Sequence, residues 1–130
     1  MRPSALRDEM MMYRGTASVS IANGQALSSS FVLDQSQLIS GVFMPAAWTA
    51  AVLTLQTSMD NGTTWNEVVK ADGTAYQLTV AASQAVMIPP ADLIGIPPNA
   101  LVRLRSGTSG TPVNQGAARS VTVVLSGDRA

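Results

Sequence analysis

From Gly15 onward apolar and polar side chains alternate with a period of two. Val19 and Ile21 are set among Ser18, Ser20 and Ala22, and Leu53 and Leu55 alternate with Thr54 and Gln56. Val102 and Leu104 alternate with Arg103 and Arg105, and Val121, Val123 and Leu125 with Ser120, Thr122 and Ser126. Successive side chains of a strand point to opposite faces, so this pattern predicts strands with one face buried and one in water. The runs lie near 16–22, 27–33, 37–44, 51–57, 65–70, 75–81, 84–88, 100–106 and 118–126. Asn23-Gly24, Asn61-Gly62, Asp72-Gly73, Pro89-Pro90, Pro97-Pro98 and Ser106-Gly107 through Pro112 punctuate them as turns. Residues 89–99, with proline at both ends, read as one irregular connection with a helical turn at Asp92-Leu93-Ile94. Eight or nine short strands with frequent turns predict an all-β fold: a single antiparallel β-sandwich, jelly-roll-like or Greek-key.

Ahead of these strands the pattern changes. Arg2, Arg7, Asp8, Glu9 and Arg14 crowd into the first fourteen residues, with Met10-Met11-Met12-Tyr13 beside them. The division expected is an N-terminal arm over 1–14 and a β-domain over 15–130. Methionine is unbranched and adapts to irregular hollows, so Arg7, Met10, Met11, Met12 and Tyr13 are candidates for contact with another chain. The start lacks the continuous apolar stretch of a signal peptide, and no run of about 18 apolar residues suits a membrane span.

Composition narrows the chemistry. In 130 residues there is no cysteine and no histidine, and charged residues make up 12%, about half the usual ~25%. Disulfides, thiolate zinc sites and thiol nucleophiles are thereby excluded, as is the commonest general base. Eight basic side chains balance eight acidic ones, which argues against binding nucleic acid through counterion release. The expectation is a protein that is not an enzyme and carries no cofactor or metal.

The most specific local string is Ser58-Met59-Asp60-Asn61-Gly62-Thr63-Thr64-Trp65. It fits the S-x-D-x-G-x-T-W Asp box of sialidases and other β-propellers, where the box is a turn device. Asp60 can accept backbone N–H bonds inside the turn, Gly62 allows a positive φ, and Trp65 plugs the hairpin base. Ser58, Asp60, Gly62, Thr64 and Trp65 are thus expected to be structural. Asp60 and Glu67 are seven residues apart across that turn, a spacing that does not itself make a facing acid–base pair. The Asp60 loop lacks the ligand series of an EF-hand, and Lys70, the one lysine, has no serine partner at a recognisable spacing. Arg103 and Arg105 share a strand face, and Arg119, starting the last strand, is expected to be near it. Their candidate roles are pairing with carboxylates on a solvated face or contact with another subunit, for which arginine's planar fork is suited. Trp48 and Trp65 are expected to be core or hairpin covers, with sugar stacking as the alternative.

Two longer stretches carry a resemblance. Met44-Pro45-Ala46-Ala47-Trp48 leads through Leu53-Thr54-Leu55-Gln56 into the Asp box. Farther on come Leu101-Val102-Arg103-Leu104-Arg105-Ser106-Gly107 and Pro112-Val113-Asn114-Gln115-Gly116-Ala117-Ala118-Arg119. The order P-x-x-W, strand, S-x-D-x-G-x-x-W, R-L-R-S-G, P-V-x-Q-x-A-x-R resembles small structural proteins of tailed bacteriophages and gene-transfer agents. It covers roughly residues 19 to 125; the arm is not part of it. The resemblance implies a β-sandwich on the virion surface, a capsid decoration (cement) protein or the base of a head spike. It would be made in the bacterial host cytoplasm, be oligomeric with a homotrimer favoured, and bind the major capsid protein of a phage head. No membrane or direct nucleic-acid contact is expected. The alternatives are a carbohydrate-binding module displayed on a virion, with glycan as partner, and a tail or baseplate adaptor.

Overall fold

A computed structural model describes residues 13–34 and 37–127. Arg7, Met10, Met11 and Met12, and with them nearly all of the expected arm, lie outside the described residues. The described chain is all-β and antiparallel. Its strands are β1 (Tyr13–Ile21), β2 (Leu27–Val32), β3 (Gln37–Phe43), β4 (Leu53–Ser58), β5 (Asn66–Glu67), β6 (Ala85–Met87), β7 (Leu101–Ser106) and β8 (Arg119–Gly127). A single 3₁₀ turn, Pro90–Asp92, interrupts the 89–99 connection, two residues ahead of the predicted one, because Pro90 presets its first φ.

Where a two-sheet sandwich is expected, the strands hydrogen-bond into one eight-stranded sheet in the order β5-β4-β7-β2-β1-β8-β3-β6. The reason lies in the β1–β2 hairpin. Asn23-Gly24 turns the chain with Gly24 at φ 79°, and the two strands pair at its root, Ile21 opposite Ser28. A register shift between Leu27 and Ser30 then directs β2 onto β7, while β1 pairs along its whole length with β8. The hairpin is the seam between two four-stranded halves. The sheet curls, so that Val19, Ile39, Val42, Val121 and Val123 from one half share a core with Phe31, Leu53, Leu55, Val102 and Leu104 from the other. Each such side chain, fully withdrawn from water, contributes roughly 1.5–3 kcal/mol.

The predicted strand over 75–81 does not form. Only isolated bridges, Leu53 to Leu78 and Val69 to Ala75, mark it, and β5 shrinks to two residues. Leu78 enters the core with Tyr76 and Val80 packed against it, so the alternation keeps its buried face, but the backbone finds only single rungs and no continuous ladder. Tyr76 nevertheless ties the segment to the connection, its hydroxyl donating to Asp92 Oδ2 at 2.8 Å. Burial, and then that carboxylate, pushes the phenol up to about 12.

Candidate functional site

The outer face of β5-β4-β7 is polar. Register places Gln56 opposite both Arg103 and Glu67, and Thr54 opposite Arg105. Arg105 is almost buried, and its two terminal nitrogens grip Glu67 Oε1 and Oε2 at 2.6 and 2.7 Å. The Gln56 side-chain amide also donates to Glu67, while its Oε1 accepts from Arg103 Nε at 2.7 Å. These contacts, Arg105 first, hold the Glu67 carboxyl below its ordinary range. The Arg103 guanidinium stacks 4.0 Å from the centre of the Trp65 ring. Burial, and the neighbouring Arg105, lower its affinity for its proton. Arg105 is therefore fully engaged by its own chain, while Arg103 is held by a ring and an amide.

Arg119 does not lie on a strand neighbouring β7, as the sequence suggests, because β2 and β1 intervene between β7 and β8. It reaches that region through loops. Arg119 Nε donates to Gln115 Oε1 at 3.1 Å, and Gln115 Nε2 donates to Ser106 Oγ at 2.7 Å, at the end of β7. Gln115 also exchanges two bonds with the backbone of Thr49, accepting from its N–H at 2.8 Å and donating to its carbonyl at 3.0 Å. At 1% exposure this glutamine is the hub of the loop layer, a role that its place in the P-V-x-Q-x-A-x-R order does not reveal. A single amide in a Pro-Val-Asn-Gln-Gly stretch looks like any loop residue until its partners are placed.

The Asp-box residues bond to one another within a single turn. Ser58 Oγ donates to Asp60 Oδ1 at 2.8 Å and accepts from the Gly62 N–H at 2.9 Å. Asp60 Oδ1 accepts from the Thr64 N–H at 2.8 Å, and this bond is the main reason the Asp60 carboxyl titrates below its ordinary range. Gly62 takes φ 89°, and a Cβ there would lie within 3.8 Å of the Trp65 ring. Asp60→Ala should therefore release the Thr64 amide, with hydrogen exchange at that proton faster by about tenfold while exchange in β8 is unchanged. Trp48 is half-buried against the core, with its indole N–H donating to Ala51 O at 3.1 Å.

The outer face of β1-β8-β3-β6 has the opposite character. Arg14, Ser126, Ser40, Val124, Phe43 and Met87 border an open groove of about 490 Å³. Phe43 is 51% exposed and Met87 64%. Gly41 pairs with Met87 across β3 and β6, and a Cβ there would meet the Met87 Cε at 3.3 Å. The Ser40 and Ser126 hydroxyls bond each other at 2.8 Å, so the polar atoms at this edge are already partnered. The sequence carries a faint signal of this face. Gly41-Val42-Phe43-Met44 is an unbroken apolar run, and in a strand one of two neighbouring side chains must face outward. Tyr13, a candidate contact residue, opens β1 with its backbone opposite Gly127, at the Arg14 end of this groove.

Among the described residues, no three His, Cys, Asp or Glu side chains gather in a way that could hold a metal ion, and no helix is long and apolar enough to cross a membrane. No protein-family model matches the chain, and no curated protein matches it in sequence.

Proposed function

We propose that this chain is a structural, non-enzymatic component of a virion, a capsid decoration protein that docks on the outer surface of a phage head and stabilises it against internal pressure. The observation that carries the reading is the exposure of large apolar side chains on both outer faces of the curled sheet. Phe43 and Met87 stand out on one face, and Leu27 (37% exposed) and Val32 (49%) on the other. The Phe43–Met87 groove is a patch of the kind that marks a surface covered when a module works, and Leu27 and Val32 add single apolar side chains on the far side. The ionisable groups support the same reading. Asp60 and Asp72 hold turns, Glu67 is committed to Arg105, and Asp92 accepts from Tyr76. The order of the tryptophan, Asp-box and arginine motifs, which resembles phage structural proteins, supplies the virion setting. The sugar-binding reading gains no support from the indoles, since Trp65 has one ring face under Arg103 and Trp48 packs inward.

The mechanism is added interface. Each copy contributes a modest contact to the major capsid protein, and the symmetry of the shell multiplies it, so rupture must break many contacts together. The test is to add purified protein to heads that lack it and to image them. The expected result is ordered density at repeated lattice positions and release of DNA at a temperature several degrees higher. Absence of binding to heads overturns the proposal. Recovery only with tails, or only on immobilised glycans, would replace it with the adaptor or carbohydrate-binding reading.

A further inference from the structure

We infer that the groove over β8, β3 and β6 receives the Met10-Met11-Met12 segment of a second copy of this chain, so that the protein assembles by exchanging arms. The inference concerns the free protein and does not depend on what the assembly coats. The groove's volume, about 490 Å³, lies in the ~300–1,000 Å³ range of sites that enclose a sizeable apolar group. Its walls are Phe43, Met87 and Val124, and the Ser40 and Ser126 hydroxyls at its edge are already paired with each other. An occupant therefore needs apolar, adaptable side chains and no particular hydrogen bond. Three consecutive methionines have that chemistry, since an unbranched thioether chain fills an irregular hollow and packs well against an aromatic ring. Charge agrees as well. Asp8 and Glu9 precede the methionines, and Arg14 stands exposed at the rim.

Connectivity decides which copy supplies the segment. The described chain begins at the last rung of β1, where Tyr13 lies opposite Gly127, and the groove extends back from there under Arg14 toward Phe43 and Met87. To enter its own groove the chain would have to reverse at once. Tight reversals rely on glycine, proline, asparagine or aspartate, and Glu9-Met10-Met11-Met12-Tyr13 contains none of them. Three residues reach only about 10 Å, too short for a wide loop that still delivers these same methionines. A neighbouring copy's groove requires no reversal. Donor segment and acceptor groove are different surfaces, so the contact is head-to-tail and closes into a ring when the rotation allows.

The test uses the full chain and two variants. Met10→Asp/Met11→Asp/Met12→Asp spoils the arm, and Phe43→Asp/Met87→Asp spoils the groove. Mass is read by light scattering and fold by circular dichroism. The wild type should be an oligomer, and each variant alone should self-associate about thirtyfold or more weakly. Mixed together, the two variants should form a 1:1 complex, because one keeps an intact groove and the other an intact arm. A monomeric wild type, variants that retain its mass, or a mixture that forms no complex would each overturn the inference. If the double groove variant loses strand content, Phe43→Ser alone is mixed with the arm variant in its place.

Discussion

Gln115→Leu should lower the stability of the folded chain by about 4 kcal/mol, moving the thermal midpoint down on the order of 15 °C. Leucine has nearly the volume of glutamine, so packing is preserved and the loss is one of hydrogen bonds. The glutamine satisfies the Thr49 N–H, the Thr49 carbonyl, Ser106 Oγ and Arg119 Nε from a position that is 1% exposed. Ser106 is itself fully buried, so no water can replace the lost partner. A buried polar group left without a partner costs about 1–3 kcal/mol, and at least two are stranded at once. The damage should spread to the seam between the two sheet halves. The Gln115 backbone accepts from the Gly24 N–H at 2.8 Å and donates to Gln25 O at 2.9 Å, which holds the β1–β2 turn. Ser106→Ala serves as the calibrating variant. It removes one partner while leaving the Thr49 bonds in place, and should cost about 1 kcal/mol. Denaturant titration of the three proteins decides the matter; a Gln115→Leu loss no larger than that of Ser106→Ala would show that the hub contributes nothing beyond one bond.

Glu67→Ala should cost about 3 kcal/mol, because it leaves the Arg105 guanidinium nearly buried and unpaired. The carboxylate is one-third exposed and its partner 9%, which places the loss at the lower end of that seen for broken buried pairs. Replacing both residues with methionine should recover most of the loss, since the desolvation of two charges is removed along with their attraction. The pair also sets a pH dependence. The folded-state pKa of Glu67 lies below the ordinary 4.5, so the unfolded chain takes up its proton first as pH falls. The contribution is complete above about pH 4.5 and is lost as pH drops through the folded value. Asp60 and Asp72 are lowered as well and act with the same sign. The difference between wild type and Glu67→Gln isolates the pair. It should be large at neutral pH and shrink toward zero in acid, and a difference independent of pH would exclude the ion pair as its source.

The positions of the strands were legible because burial on one face imposes a period of two. Val19, Leu55, Leu104 and Val123 lie in the core where the alternation puts them. The Asp box was legible for a related reason: Ser58, Asp60, Gly62 and Thr64 interact with one another within a few residues, and a local device is written in local sequence. The failure at 75–81 has the converse cause. The pattern there is as good as elsewhere, but the segment meets β4 and Val69 only at single rungs, and the extent of pairing is a property of the whole fold.

Read along the chain alone, the residues were enough to show an antiparallel β protein, where its turns fall, and that histidine and cysteine chemistry is absent. Those conclusions depend on near neighbours and on composition. Which strands meet is settled only in three dimensions, and with it that β2 and β1 separate Arg119, on β8, from the Arg103–Arg105 face and that one sheet stands where two were expected. Only there, too, is it settled that Gln115 is buried among four partners, and that Phe43, Met87 and Val124 border one open groove. Pairing between strands such as β1 and β8, about a hundred residues apart, follows from the free energy of closing one common core. No alternation of side chains along the chain can encode which distant strand completes it.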